Sequence, residues 1–343
     1  MTPLARCTLF LVESCGLRFS RRLLAGALAA VAVCAQAPLA QAQTDYPNRP
    51  VRLMIGFPPG QATDVLGRAV ALKLQDAWNQ QFFVENKPGA AGIIGTQAAL
   101  AALPAGYTLL VTSSGPMAVN PGLYSKLPYD PLKDFVPVAG IAIVPLILVT
   151  NPAFAPATVK DLVALAKAKP GAINYASGGS GVTNHLVMEM FRAAAGVNMI
   201  HVPYKGGPPA LTDLMGGQVS VMFETSVAVL PHIKQGRLRA LGVSSASRIS
   251  AAPDLPTVAE QGYPGFSGVP WVALVAHART PPAIVAKLNA EVNRILATKE
   301  MRDSFVAQGV EPMIFSADEF GGFMKTEVAK WTQAVKDSGA KVE

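Results

Sequence analysis

Ser180 and His185 lie five residues apart in ASGGSGVTNH (176–185), and a serine near a histidine raises the question of acyl transfer. GGSGV (178–182) resembles the turn that presents a nucleophilic serine. Val182, however, stands where G-x-S-x-G needs its second glycine, and no Asp partner is indicated. His185 and Glu189 are four apart, a spacing that brings two metal ligands to one helix face. No third ligand accompanies them, and an i,i+4 surface pair is by far the commoner reason for the spacing. Tyr204 and Lys205 in HVPYKGG (201–207) form a basic, glycine-ended segment that either meets an anion or is simply solvated. No Walker loop and no G-x-G-x-x-G occurs, so nucleotide binding has no support. Neither a cofactor nor a metal is expected.

Four turns have a different kind of chemistry. FPPGQATD (57–64), TSSGP (112–116), ASGGSGVTNH (176–185) and FETSV (223–227) each follow an apolar run, all carry Ser or Thr, and three carry Gly. Glycine lets a backbone approach a ligand closely, and the free amides at a helix start favour a carboxylate by charge and dipole. An ordinary helix cap explains any single turn of this composition. Four at equivalent positions, two in each half of the chain, favour a cleft, because ligands of open α/β sheets bind beyond the carboxyl ends of the strands.

The elements that must position these turns alternate as in an α/β fold. Strands are predicted at VRLMIGF (51–57), FFVEN (82–86), YTLLVTS (107–113) and PLILVT (145–150). A second series follows at INYAS (173–177), MIHVPY (199–204), VSVMFE (219–224) and LRALGVSS (238–245), and WVALVA (271–276) comes last. A helix begins near Ala62, with Thr63 and Asp64 as its expected caps. Thr158 to Asp161 and Ser316 to Glu319 read as capping boxes, and Thr298 as a further cap. The strands at 145–150 and 271–276 are expected to carry the chain between two lobes, 46–145 plus 275–343 and 146–274. Trp271 is expected in the core.

Composition narrows the setting. Arg18, Arg21 and Arg22 precede the apolar run LLAGALAAVAVCA, and Ala40-Gln41-Ala42 supplies a small-x-small cleavage pattern, so residues 1–42 read as a secretory signal peptide. Cys7, Cys15 and Cys34 all fall inside it, which leaves the mature chain without thiols, disulfides or a zinc-thiolate site. Removing the leader's four arginines and Glu13 leaves 25 basic against 21 acidic residues, and the net charge falls from +7 to +4. That excess suits a small anion and is too diffuse for nucleic acid. About 300 remaining residues are enough for two α/β domains.

Taken in order, YPNRPVRLMIGFPPGQATD, VENKPGAAGIIG, YTLLVTSSGPMAVNP, LPYDPLKDFVPV, HVPYKGGPPALTDLMGGQVSVMF, LPHIKQGRLRALGV, LPTVAEQGYPGF and KLNAEVNRIL resemble the Bug-type solute receptors. These are the substrate-binding proteins of tripartite tricarboxylate transporters, and the resemblance spans 46–340. It implies a type II periplasmic binding protein fold, two α/β lobes joined by crossover strands and closing on a small carboxylate. It also implies a monomer that catalyses nothing and delivers its ligand to a large and a small integral-membrane permease subunit.

By the same resemblance the ligand would meet Phe57, Pro59, Gly60, Gln61, Ala62, Thr63 and Asp64, then Ser113 and Ser114. The second lobe would supply Ser177, Gly179, Ser180, Thr183 and His185, and then Glu224, Thr225 and Ser226; to these the residues themselves add Tyr204, from the basic segment, and Phe223, at a turn edge. Two departures from the family pattern stand out: PPGG is PPGQ at Gln61, and FD-N becomes Phe223-Glu224-Thr225-Ser226. Phe57 and Phe223 lean toward a ligand that is flat or apolar in its middle. A receptor that signals to a membrane kinase, or a secreted hydrolase using Ser180 and His185, remain the alternatives.

Overall fold

The computed structural model describes residues 45–340, so the expected signal peptide lies outside the described residues. The chain alternates strands with amphipathic helices. In order they are β1 (Val51–Ile55), α1 (Ala62–Trp78), β2 (Phe82–Asn86), α2 (Ile93–Leu100), β3 (Thr108–Ser113), β4 (Phe135–Ile143), β5 (Leu146–Thr150), α3 (Val159–Ala168), β6 (Asn174–Ser177), α4 (Thr183–Ala195), β7 (Ile200–Pro203) and α5 (Gly207–Met215). Then come β8 (Val221–Thr225), α6 (Ser226–Lys234), β9 (Arg239–Val243), β10 (Trp271–His277), α7 (Pro282–Leu296), α8 (Lys299–Ala307), β11 (Glu311–Pro312) and α9 (Ala317–Ser338). A short wide helix, Gly115–Val119, follows β3.

Two sheets result. The first has the order β11-β4-β10-β3-β1-β2, with β1 parallel to β2 and β3, and β10 antiparallel to β3 and β4. The second has the order β7-β6-β8-β5-β9, with β6 parallel to β7 and β8, and β5 antiparallel to β8 and β9. Central strands such as β1 and β5 are apolar almost throughout because helices cover both faces. The chain passes from the first sheet to the second between Ile143 and Leu146 and returns by residue 271.

Strand β4 is an element that periodicity did not bring out, because Pro137 and Gly140 interrupt FVPVAGIAI. Its pairing with β10 shifts register between Leu274 and Val275, and Val275 is the residue opposite Pro137. A bulge is where a residue without an N–H fits a sheet.

The predicted caps form as the local chemistry requires. Thr158 Oγ1 accepts from Asp161 N at 3.1 Å, while Asp161 accepts from the Thr158 amide in return. Ser316 and Glu319 make the same reciprocal pair, and Thr298 accepts from Met301 N. Such caps contribute about 1 kcal/mol each.

Helix α9 packs on β4 and also on α4. Its buried Glu327 accepts hydrogen bonds from the indoles of Trp271, at 3.0 Å, and Trp331, at 2.7 Å, and this fixes the start of β10 where the chain re-enters the first sheet. No helix among the described residues is long and apolar enough to cross a membrane.

Candidate ligand-binding cleft

The carboxyl ends of β1 and β3 face those of β6 and β8 across a cavity of about 70 Å³. At roughly 10–15 Å³ per water, that is room for about five waters or a small acid. The first wall supplies Phe57, Gln61, Ala62 and Thr63 from the β1–α1 turn and Ser113 from the end of β3. The second wall supplies Val182, Thr183 and Asn184 from the start of α4, with Glu224 and Thr225 from the end of β8. Val144 and Leu146 from the crossing, and Pro270, Trp271 and Val272 from the return strand, form the floor.

Both walls are polar by construction. Helices α1 and α4 begin at the cavity, and among the described residues the amides of Ala62, Thr63, Thr183 and Asn184 have no hydrogen-bond partner. Free amides at two helix starts, with both dipoles aimed inward, attract an anion without a lysine or arginine. The walls also touch one another. Ser114 Oγ and Thr183 Oγ1 are 3.3 Å apart, and a methyl on Gly206 would come within 2.8 Å of Pro58 Cγ. The cleft is closed.

Several expected residues stand behind this surface. Asp64 does not cap α1: Gln61 holds the N-cap position with no side-chain cap. Asp64 Oδ2 accepts from Gly60 N at 3.0 Å, and Oδ1 accepts from Arg68 Nε and Asn86 Nδ2, both at 2.9 Å. Asn86 also donates to Phe57 O at 2.9 Å. The carboxylate thus ties the turn to β2 and α1 from below. Burial pushes its carboxyl up, but the bonds from Arg68, Gly60 and Asn86 outweigh this and hold it below the usual aspartate range.

Ser177 and His185 belong to a buried stack. The His185 and His201 rings lie 4.1 Å apart, Tyr175 lies 4.9 Å from His201, and Ser177 Oγ meets His201 Nε2 at 2.6 Å. His185 Nδ1 accepts from Gly181 N, so the imidazole supports the glycine turn and is not turned toward Ser180. Burial and the adjoining His185 ring push His201 down to about 4. Glu189 is engaged by Arg192 and by the Tyr175 hydroxyl, which removes it from any pairing with His185.

Phe223 is fully buried against Phe191 and Phe266 and does not line the cavity, so its side chain cannot face a ligand there. Ser226 Oγ donates to Gly309 O. Gly179, Ser180 and Tyr204 line a separate outer cavity of about 470 Å³, where the Tyr204 hydroxyl donates to Asp213 and burial helps push it up to about 12. Pro59 and Gly60 line a third cavity of about 420 Å³, which also holds Gln61 and Glu224. Trp271 is 1% exposed, as a core residue should be, yet it also floors the cleft. Asn184, Val144, Pro270 and Val272 were not foreseen. Asn184 sat within a quoted turn, but the floor residues have no polar or glycine signal.

Two α/β bodies that offer helix N-termini to one closed cavity define a two-lobed solute-binding protein of the second periplasmic type. A family model described as Tripartite tricarboxylate transporter family receptor matches residues 66–340, and the chain belongs to that family. It is 42% identical over 299 residues to Protein BugT of Bordetella pertussis (strain Tohama I), covering 87% of this chain and 92% of BugT. Among solved structures, an R. palustris protein with adipate superposes with a TM-score of 0.85 at 33% identity, covering 87% of this chain and all of the other. MatC from Rhodopseudomonas palustris with bound malate gives 0.80 at 30% identity, covering 84% and 100%.

Proposed function

We propose that this receptor works outside the cytoplasm, captures a small organic acid and hands it to a membrane permease of one large and one small subunit. The observation that carries this is the pairing of free helix-start amides from both sheets, at Ala62–Thr63 and Thr183–Asn184, around one cavity. The relatives solved with adipate and with malate support a carboxylate as cargo. The leader at 1–42 would direct export and be removed.

The bodies that close are the two lobes, expected at 46–145 plus 275–343 and at 146–274, hinged where the chain crosses near 144–145 and near 270. Closure buries the ligand between polar walls and presents a new surface to the permease. No chemistry follows binding. The expected ligand contacts are Ala62, Thr63, Ser113, Thr183, Asn184 and Thr225, with Gln61 and Glu224 setting selectivity.

A thermal-shift screen of mono-, di- and tricarboxylates on the mature protein tests this. A true ligand at a hundredfold excess over Kd stabilises the folded state by about 2.7 kcal/mol. For a chain of this size each kcal/mol raises the melting temperature by about 2–4 °C. If no carboxylate moves the melting temperature, the assignment fails.

A further inference from the structure

Glu224 is the one charged residue on the wall of the cleft cavity, and it is only 4% exposed. Its bonding partners are neutral. Oε1 accepts from Thr225 N at 2.7 Å, and Oε2 accepts from Asn184 Nδ2 at 3.3 Å. The neighbouring cavity, which Glu224 also lines, contributes no lysine or arginine, and its one basic side chain is His232. Burial pushes the His232 ring down and the Glu224 carboxyl up, each away from its charged form.

Space has been left for this carboxylate. A methyl on Gly207 would come within 2.7 Å of Glu224 Oε2 and within 3.1 Å of Gln61 Nε2, so the Gln61 amide reaches the same spot from the opposite wall. A buried carboxyl without a counter-charge escapes the cost of ionising by keeping its proton, and it gives that proton up when an opposite charge is brought to it. The other end of the cavity, at Ala62, Thr63 and Ser113, has donors and no charge. One end therefore offers donors alone, while the other adds a carboxyl that has no counter-charge.

We propose that Glu224 is the subsite for a cationic nitrogen, and that the cargo is a short zwitterion whose carboxylate lies on the Ala62–Thr63 amides. This deepens the organic-acid assignment and rests on it. Asn184 hydrogen-bonds the carboxyl, and Gln61 approaches it from the opposite wall. A ligand with a carboxylate in place of the nitrogen brings Glu224 no counter-charge, and one lacking both groups leaves Glu224 unpaired.

The test uses the mature protein and sets of three matched compounds, three to six carbons long. Each set holds an α- or ω-amino acid, the monocarboxylate without its nitrogen, and the dicarboxylate with a second carboxylate in its place. Calorimetry is expected to rank at least one amino acid at least tenfold tighter than both counterparts. Glu224→Gln should then lose at least tenfold for that amino acid and close its margin over the matching monocarboxylate. A dicarboxylate or plain monocarboxylate that binds tighter than every amino acid overturns the proposal, as does an amino acid whose affinity Glu224→Gln leaves intact. If that variant does not fold, the ranking on the unaltered protein decides alone. If no acid of any of the three classes binds, it is the organic-acid assignment that has failed, and the zwitterion subsite falls with it.

Discussion

The β1–α1 turn and the β8–α6 turn each carry a buried carboxylate, and they use it in opposite ways. Asp64 faces away from the cavity, is paired with Arg68 and serves as a fastener under its turn. Glu224 faces the cavity among neutral donors and has no counter-charge. Behind the first wall Gly56 and Gly95 are set against backbone, while on the second Gly207 is set against the ends of the Glu224 and Gln61 side chains. A rigid wall that presents amides and a softer wall that presents a charge make a cleft with polarity along its length. Substitutions and pH changes on the two walls probe that difference.

The largest effect is expected from adding a methyl at Gly95 in α2. Its Cβ would fall 2.4 Å from Gly56 Cα, 2.9 Å from Gly56 N and 3.0 Å from Lys87 O, all backbone atoms that cannot rotate aside. Gly95→Ala should therefore cost about 3 kcal/mol in urea unfolding, the upper part of the usual overpacking range. The matched change on the other wall, Gly207→Ala, meets the tips of Glu224 and Gln61, which can swing away. It should cost about 1 kcal/mol or less in stability, yet weaken ligand binding because those two tips line the cavity. Equal losses of stability at the two glycines would contradict a rigid first wall.

Replacing Asp64 by Asn removes charge-assisted bonds to Arg68 and to the Gly60 amide, with an expected loss of about 2 kcal/mol at pH 7. The Asp64 carboxyl is held low in the fold, so its contribution is present above the ordinary aspartate value near 3.9. It is lost as pH falls through the lowered one. The difference between parent and variant should therefore be full at pH 7 and fade only below about pH 4.

Acid acts earlier on the second wall. His201 stays neutral down to about 4, whereas in the unfolded chain it takes up a proton near 6.5. Stability is thus intact above about 6.5 and is lost as pH falls from there through 4. After a discount for the ring's partial exposure the loss is about 1–2 kcal/mol. Hydrogen exchange at pH 5 should quicken in the Gly178–Gly181 turn, which His185 supports, before it does at Gly56–Gly60. His201→Phe should flatten the acid slope. Simultaneous opening of both turns would show that the two walls are not independently held.

How much of this was legible follows from what each signal depends on. Strand runs such as VRLMI and LILVT, and the boxes at Thr158 and Ser316, are local, and they appear where composition put them. Asp64 looked like a cap because its spacing from the turn allows one. Its actual partners include Asn86, 22 residues away, and nothing in the local spacing points there. Trp271 was legible as core, but its second part, flooring the cleft, depends on where the returning strand enters the first sheet. Phe223 shows the converse: alternation along β8 turns it into the core while its neighbour Glu224 reaches the cavity. The position of Glu224 could be read from the sequence, whereas its lack of a counter-charge could be seen only once both walls were assembled.

The smallest effect concerns the backbone of two glycine-rich turns, and here the walls should differ in sign. In KPGAAG the first wall's support runs through Gly89, Ala90, Ala91 and Gly92 with φ of 134, 47, 51 and 87°, so two alanines sit in left-handed conformation. That costs an L-residue roughly 1–2 kcal/mol, against which a glycine loses about 0.5–1 kcal/mol through its freer unfolded chain. Ala91→Gly should therefore stabilise the protein by up to about 1 kcal/mol. On the second wall the positive φ at Gly181, 83°, already falls on a glycine, so Gly181→Ala should destabilise by about 1 kcal/mol. Thermal melts of the two variants beside the parent read both signs at once. Destabilisation by Ala91→Gly would mean that the Ala91 methyl makes contacts worth more than the strain it imposes, and the first wall would then owe part of its rigidity to side chains after all.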